Sequence, residues 1–191
     1  MVETITPVVH GTRRRFKVAV AIHTAGATLS AGVLGVLLGS AGAAFGLEWN
    51  DVGIAVIVVV GAVYIAREAI GLQIPLPQLR RQVPEWWRTF FSPRTAAALY
   101  GLGLGAGFFT YLSFGTFAAV AAAALTSGDP LVGAALCAPF GAARGVAVIV
   151  AANPTSIDRL EEAALTRLPR ATNAAALVVL TGISAAALLV S

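Results

Sequence analysis

The sequence predicts an all-α, polytopic membrane protein with five transmembrane helices, its N-terminus cytoplasmic and its C-terminus external. Three observations carry this prediction. Only 12% of the 191 residues are charged while 58% are hydrophobic, and the mean hydropathy is +0.83, which leaves too little polar surface for a domain in water. Apolar stretches recur at 18–47, 52–74, 95–125, 131–152 and 171–190, each able to cross about 30 Å of hydrocarbon with roughly 20 helical residues. Of the 13 Lys and Arg residues, all but Arg67 and Arg144 lie before the first stretch or in alternate connectors. The positive-inside rule places those connectors in the cytoplasm. The net charge of +4 is then a topogenic signal, and no basic patch interleaved with stacking aromatics suggests nucleic acid.

In chain order, residues 1–17 form a basic cytoplasmic tail with a solvated His10, and 18–191 form one transmembrane domain of the inner (plasma) membrane. Arg13, Arg14, Arg15 and Lys17 precede span one. A rival reading takes them with Ala41-Gly42-Ala43 as a twin-arginine export signal that is cleaved, removing residues 1–43. The connectors around Glu48, Trp49, Asn50 and Asp51 and around Ser127, Gly128, Asp129 and Pro130 are short, acidic and external. After span two, Pro75-Leu76-Pro77 leads into 78–91, where Arg80, Arg81 and Arg88 mix with Trp86, Trp87, Phe90 and Phe91; this suits an interfacial helix at the headgroup layer. Its counterpart at 156–167 has acidic residues near its start and Arg167 near its end, matching a helix dipole. Lys17 stands to Arg94 as Arg67 stands to Arg144, a spacing that fits either repeated helical hairpins, as in transporters, or any in-out-in chain.

Span three carries the first candidate site. It is too long for a straight crossing, and Gly101, Gly103, Gly105 and Gly107 alternate in its middle before Thr110, Tyr111, Ser113 and Thr116. Two readings stay open. In one, Gly101-xxx-Gly105 and Gly103-xxx-Gly107 permit close helix packing; in the other, the helix breaks and those four polar residues line a path through the bundle. Ionisable residues within spans are the second lead, because a central Arg costs about 2.5–3.5 kcal/mol and faces protein or water. Arg144 lies beside Pro139 and Gly141, where a kink opens a polar pocket, and Glu68 is placed to neutralise it across helices. Arg67 is near enough to the cytoplasmic end to snorkel. His23, beside Thr24, reads as a structural histidine or a proton-relay group. The transport-path candidates are thus Arg144, Thr110, Tyr111, Ser113, Thr116, Glu68 and His23. There is no HExxH, Walker loop, cysteine cluster or Gly-x-Ser-x-Gly elbow, so no catalytic residue, metal or cofactor is expected and the chain reads as a non-enzyme.

The basic loop before a glycine-rich span, the run Leu99-Tyr100-Gly101-Leu102-Gly103-Leu104-Gly105-Ala106-Gly107-Phe108-Phe109-Thr110, then Ala118-Ala119-Val120 and Gly128-Asp129-Pro130, resemble helices two to six of the CcdA family of cytochrome c biogenesis, related to the transmembrane domain of DsbD. The resemblance covers nearly the whole chain and implies a shared fold. The family carries reducing equivalents through one cysteine in its first helix and one in its fourth. Here the first helix has no counterpart, and 107–114 contains neither Pro nor Cys, with Tyr111 or Leu112 standing where the thiol belongs. Cys137 is the one cysteine of the chain, and a thiol relay needs two sulfurs that can meet. The related LysE-type exporters work without cysteines.

The resemblance thus favours a redox-inactive carrier that moves a small solute through broken span three and Arg144. Two alternatives accompany it: a structural or assembly subunit of a membrane complex, and a thiol-disulfide electron carrier completed by a partner subunit. Besides the lipid bilayer, the partners implied are a homo-oligomer or a second membrane subunit.

Overall fold

The computed structural model describes residues 12–70, 73–76, 86–107 and 115–151. Among them the regular structure is entirely helical: α1 (Arg13–Ala44), α2 (Asp51–Ile70), α3 (Trp87–Phe90), α4 (Pro93–Gly105), α5 (Thr116–Thr126) and α6 (Pro130–Ala151). Span five and the stretch at 156–167 lie outside the described residues.

Short polar side chains set the helix starts, because a first turn has backbone N–H groups with no intrahelical acceptor. Thr12 Oγ1 accepts from Arg15 N–H at 3.3 Å and Asn50 Oδ1 from Gly53 N–H at 3.0 Å. Ser92 Oγ accepts from Thr95 N–H at 3.3 Å, and Asp129 Oδ1 accepts from Leu131 and Val132 N–H at 2.7 and 3.1 Å. Ser92 and Asp129 each precede a proline, the residue suited to the first helical position because it has no N–H to leave unpaired. The end of α1 is equally explicit. Gly46 takes a φ of +65°, its N–H reaches Ala43 O at 3.0 Å and that of Leu47 reaches Gly42 O at 2.9 Å, a Schellman turn.

The described residues cluster into two compact units. One draws on 12–31, 86–107 and 138–151; the other on 32–70, 73–76 and 115–137. In the first unit, α1 presents Ala19, His23, Ala27 and Ala31 as a buried row four residues apart. Glycines of the facing helices meet this row backbone to backbone. A methyl group on Gly101 would overlap the carbonyl of His23, and one on Gly105 or Gly141 would overlap the carbonyl of Ala27. Gly145 also lacks room for a methyl group, against Cα of Thr24. Ala27 is therefore a point where α4 and α6 both close on α1. Trp87 packs on Ala96 and Tyr100, which fixes α3 to the first turns of α4.

In the second unit, Gly35 of α1 and Gly133 of α6 face each other reciprocally, each lacking room for a Cβ against the other's carbonyl. Gly39 meets Asp129 O and Gly42 meets Leu125 O in the same way. Cys137 is fully buried, one turn beyond Gly133. The row continues the run of small residues. A separate cluster joins α2 to α5: Tyr64, Ala118 and Ala119 pack with Val60, Ile65, Ile74 and Leu76, and Gly115 leaves the space that the Tyr64 ring fills.

One helix among the described residues, Arg14–Ala44, is long and apolar enough to cross a membrane by length and composition, with 33% of its most apolar stretch buried. Differences from the sequence reading fall at helix ends. Helix α2 stops at Ile70, and residues 73–76 are not helical. The stretch 95–125 contains two described helices, because α4 ends at Gly105 and Gly107 enters the left-handed region with a φ of +53°, from which an α-helix cannot continue.

Packing and backbone conformation are separable at two of these glycines. Gly35→Ala forces a methyl group into the carbonyl of Gly133 and is expected to cost about 1–3 kcal/mol. Gly46 has open space around it, so Gly46→Asn, which tolerates the left-handed conformation, is expected to cost less than about 0.5 kcal/mol. Thermal unfolding in detergent followed by circular dichroism checks both.

Candidate functional site

Interruption of α4 leaves backbone carbonyls without intrahelical donors, and in apolar surroundings each must find another. Arg144 supplies one. Its Nη1 donates to the carbonyl of Leu104 at 2.8 Å, in the last turn of α4, and its guanidinium lies 5.8 Å from the centre of the Phe140 ring one turn earlier on α6. A cation at a helix C-terminus also meets the negative end of the helix dipole. Pro139 sits on the outward face of α6 while Gly141 faces inward, so Arg144 is placed by the tight Gly141–Ala27 approach.

His23 is 2% exposed, and its Nδ1 lies 3.3 Å from the carbonyl of Ala97. A carbonyl only accepts, so this hydrogen bond assigns the proton to Nδ1. Nε2, and Oγ1 of neighbouring Thr24, are buried without a hydrogen-bond partner. His23 and Arg144 thus both serve α4, but at carbonyls two turns, about 10 Å, apart. The structure does not bring them into one pocket.

The remaining candidates distribute as follows. Thr116 is the half-buried first residue of α5, in the second unit. Thr110, Tyr111 and Ser113 lie outside the described residues. Glu68 belongs to α2, and its side chain lies outside them too. Arg67, read from sequence as snorkelling, turns back instead: its Nε donates to Ile74 O at 2.9 Å, while Tyr64 Oη donates to Pro75 O at 3.3 Å. Together they fold 73–76 against α2. Two residues that sequence reasoning passed over are structural linchpins of the second unit, Tyr64 and Trp49, whose Nε1 donates to Ala123 O at 3.1 Å. An aromatic residue with a polar tip inside or beside an apolar span was the available signal.

Chemically, the arrangement satisfies backbone groups that irregular turns set free. Among the described residues no three His, Cys, Asp or Glu side chains gather as a metal site would require. The hydroxyls of Thr28, Thr126 and Ser127 return to carbonyls of their own helices at 2.8, 2.9 and 2.8 Å, so they leave few free donors.

Comparison with known proteins redirects the functional reading. The chain is 37% identical over 132 residues to the methylamine utilization protein MauF of Paracoccus versutus, a match covering 68% of this chain and 48% of that protein. It is 35% identical over 135 residues to MauF of Paracoccus denitrificans, covering 70% and 49%, and 36% identical over 138 residues to MauF of Methylorubrum extorquens, covering 71% and 48%. The chain spans about half the length of the curated relatives it matches. No protein-family model matches it, and no solved structure matches it. These relatives overturn the CcdA and DsbD resemblance, and with it the redox-inactive solute carrier and the link to cytochrome c biogenesis; they lend no better support to the two alternatives. The physical reason is visible in the residues that suggested it. Alternating glycines and an Asp-Pro step serve close packing at Gly101 and Gly105 and the capping of α6, needs that arise in any tightly packed helical chain.

Two side chains test how the irregular segments are held. Arg144→Met removes a bond from a charged donor and is expected to cost about 1.5–3 kcal/mol, with hydrogen exchange accelerating most in the last turn of α4. Tyr64→Phe removes one neutral hydrogen bond, costs about 1 kcal/mol, and accelerates exchange at 73–76.

Proposed function

We propose that this chain is a membrane-embedded helical component of methylamine utilization, acting in the role for which its MauF relatives are named. The observation that carries the reading is 35–37% identity maintained over about 70% of the chain. The bilayer part rests on physical grounds. Helix α1, at 32 residues, is about 48 Å long by helical rise, enough for hydrocarbon and both headgroup layers. Leu29, Val33, Leu37, Val52, Val56, Val59 and Val63 are exposed large apolar residues on α1 and α2, a surface suited to lipid rather than water. Helices α2 and α6 are 20 and 22 residues long. With the basic connectors, these features support five spans in the inner membrane, N-terminus inside.

Deleting the gene in its host is expected to abolish growth on methylamine as sole nitrogen source and to leave growth on ammonium unchanged, with recovery on complementation; undiminished growth on methylamine rejects the proposal. Reporter fusions address topology independently. Alkaline phosphatase joined after position 49 or 128 should be active and after 80 or 167 inactive, and the opposite pattern would discard the orientation.

A further inference from the structure

Residues 86–94 build a compact aromatic foot at the entrance to α4. Trp86 is 53% exposed, Phe90 77% and Phe91 39%. Their rings are not scattered. Trp86 meets Phe90 edge-on at 5.8 Å and lies 6.2 Å from Phe91, while Trp87 stands edge-on to Trp86 at 6.3 Å. Trp87 also packs edge-on against Tyr100 at 5.8 Å, which bolts the cluster to α4. The Ser92 cap and Pro93 at the first helical position fix the angle at which the foot joins the helix. Large exposed rings held in mutual contact form an apolar knob that is already ordered, so binding loses little conformational freedom.

Charge selects the occupant. From Trp86 to Arg94 the sequence carries Arg88 and Arg94 and no acidic residue, and Arg94 is exposed in the first turn of α4, at the positive end of its dipole. Apolar rings that end in an indole N–H, in a segment whose only charges are positive, match the boundary between acyl chains and acidic headgroups. We propose that residues 86–94 are an interfacial foot that binds anionic phospholipid, with Trp86, Phe90 and Phe91 entering the acyl boundary, Arg94 holding a headgroup phosphate, and Arg88 adding a second positive charge to the segment. The inference rests on the bilayer reading above and adds a lipid class and a site to it.

The test uses the full chain in nanodiscs of phosphatidylcholine mixed with phosphatidylglycerol. Retained lipid, read by native mass spectrometry, should favour phosphatidylglycerol, and Arg88→Gln and Arg94→Gln should each lower that preference about fivefold. A nitroxide on Thr89→Cys, in a Cys137→Ala background, should report headgroup depth. It should move toward water when Trp86→Ala and Phe90→Ala are combined. A label in bulk water, a label shielded by a second copy or another protein, or a lipid preference unchanged by both arginine substitutions overturns the proposal while the chain stays in the membrane. Extraction of the wild-type chain from native membranes by alkaline carbonate defeats the bilayer reading as well.

Discussion

Helix backbones in this protein approach so closely that a single methyl group would not fit between them, and the rest of the fold depends on that approach. The carbonyl of Ala27 is in contact range of the Cα positions of both Gly105 and Gly141. Such proximity is a matter of shape, since only residues without a Cβ leave room for a neighbouring backbone carbonyl at these positions. It maximises dispersion contact along the rows of small residues and brings polar backbone within reach of side chains on the next helix. Arg144 reaches Leu104 because Gly141, one turn earlier, has let α6 settle against α1.

Backbone hydrogen-bonding groups at the irregular segments are met by named side chains and turns. Helix starts are met by Thr12, Asn50, Ser92 and Asp129; the end of α1 is met by its Gly46 turn; the end of α4 is met by Arg144; and the segment after α2 is met by Tyr64 and Arg67. Arg67 and Arg144 thus have a structural use, which explains their presence within apolar helices. His23 is different. One imidazole nitrogen is used and the other is not.

Much of this was legible in the residues. Helical class followed from apolar runs of helical length, and the starts of α4 and α6 from Ser-Pro and Asp-Pro. Arg144 stood out because a cation in such a run demands a partner. The partner itself was not legible: Leu104 O becomes an acceptor only because α4 stops at Gly105, and the pairing joins residues distant in sequence. The alternating glycines are the conspicuous pattern in the sequence, whereas the close approaches use four-residue spacing: Gly141 and Gly145 of α6 against Thr24, Ala27 and Ala31 in the first unit, and Gly133 against Gly35 and Gly39 in the second. That periodicity was readable and outweighs the alternation, because only residues a turn apart share a helix face. The same glycine pattern produced the mistaken family resemblance, since packing needs alone can generate it.

Tyr64 turns one missing side chain into a mechanical linkage. Its ring occupies the space that the absent Cβ of Gly115 leaves, and its hydroxyl grips Pro75 O, so the segment leaving α2 and the residue that opens α5 share a single aromatic wedge. Neither can shift without displacing the other, and any movement of the polypeptide after α2 is transmitted to the start of α5.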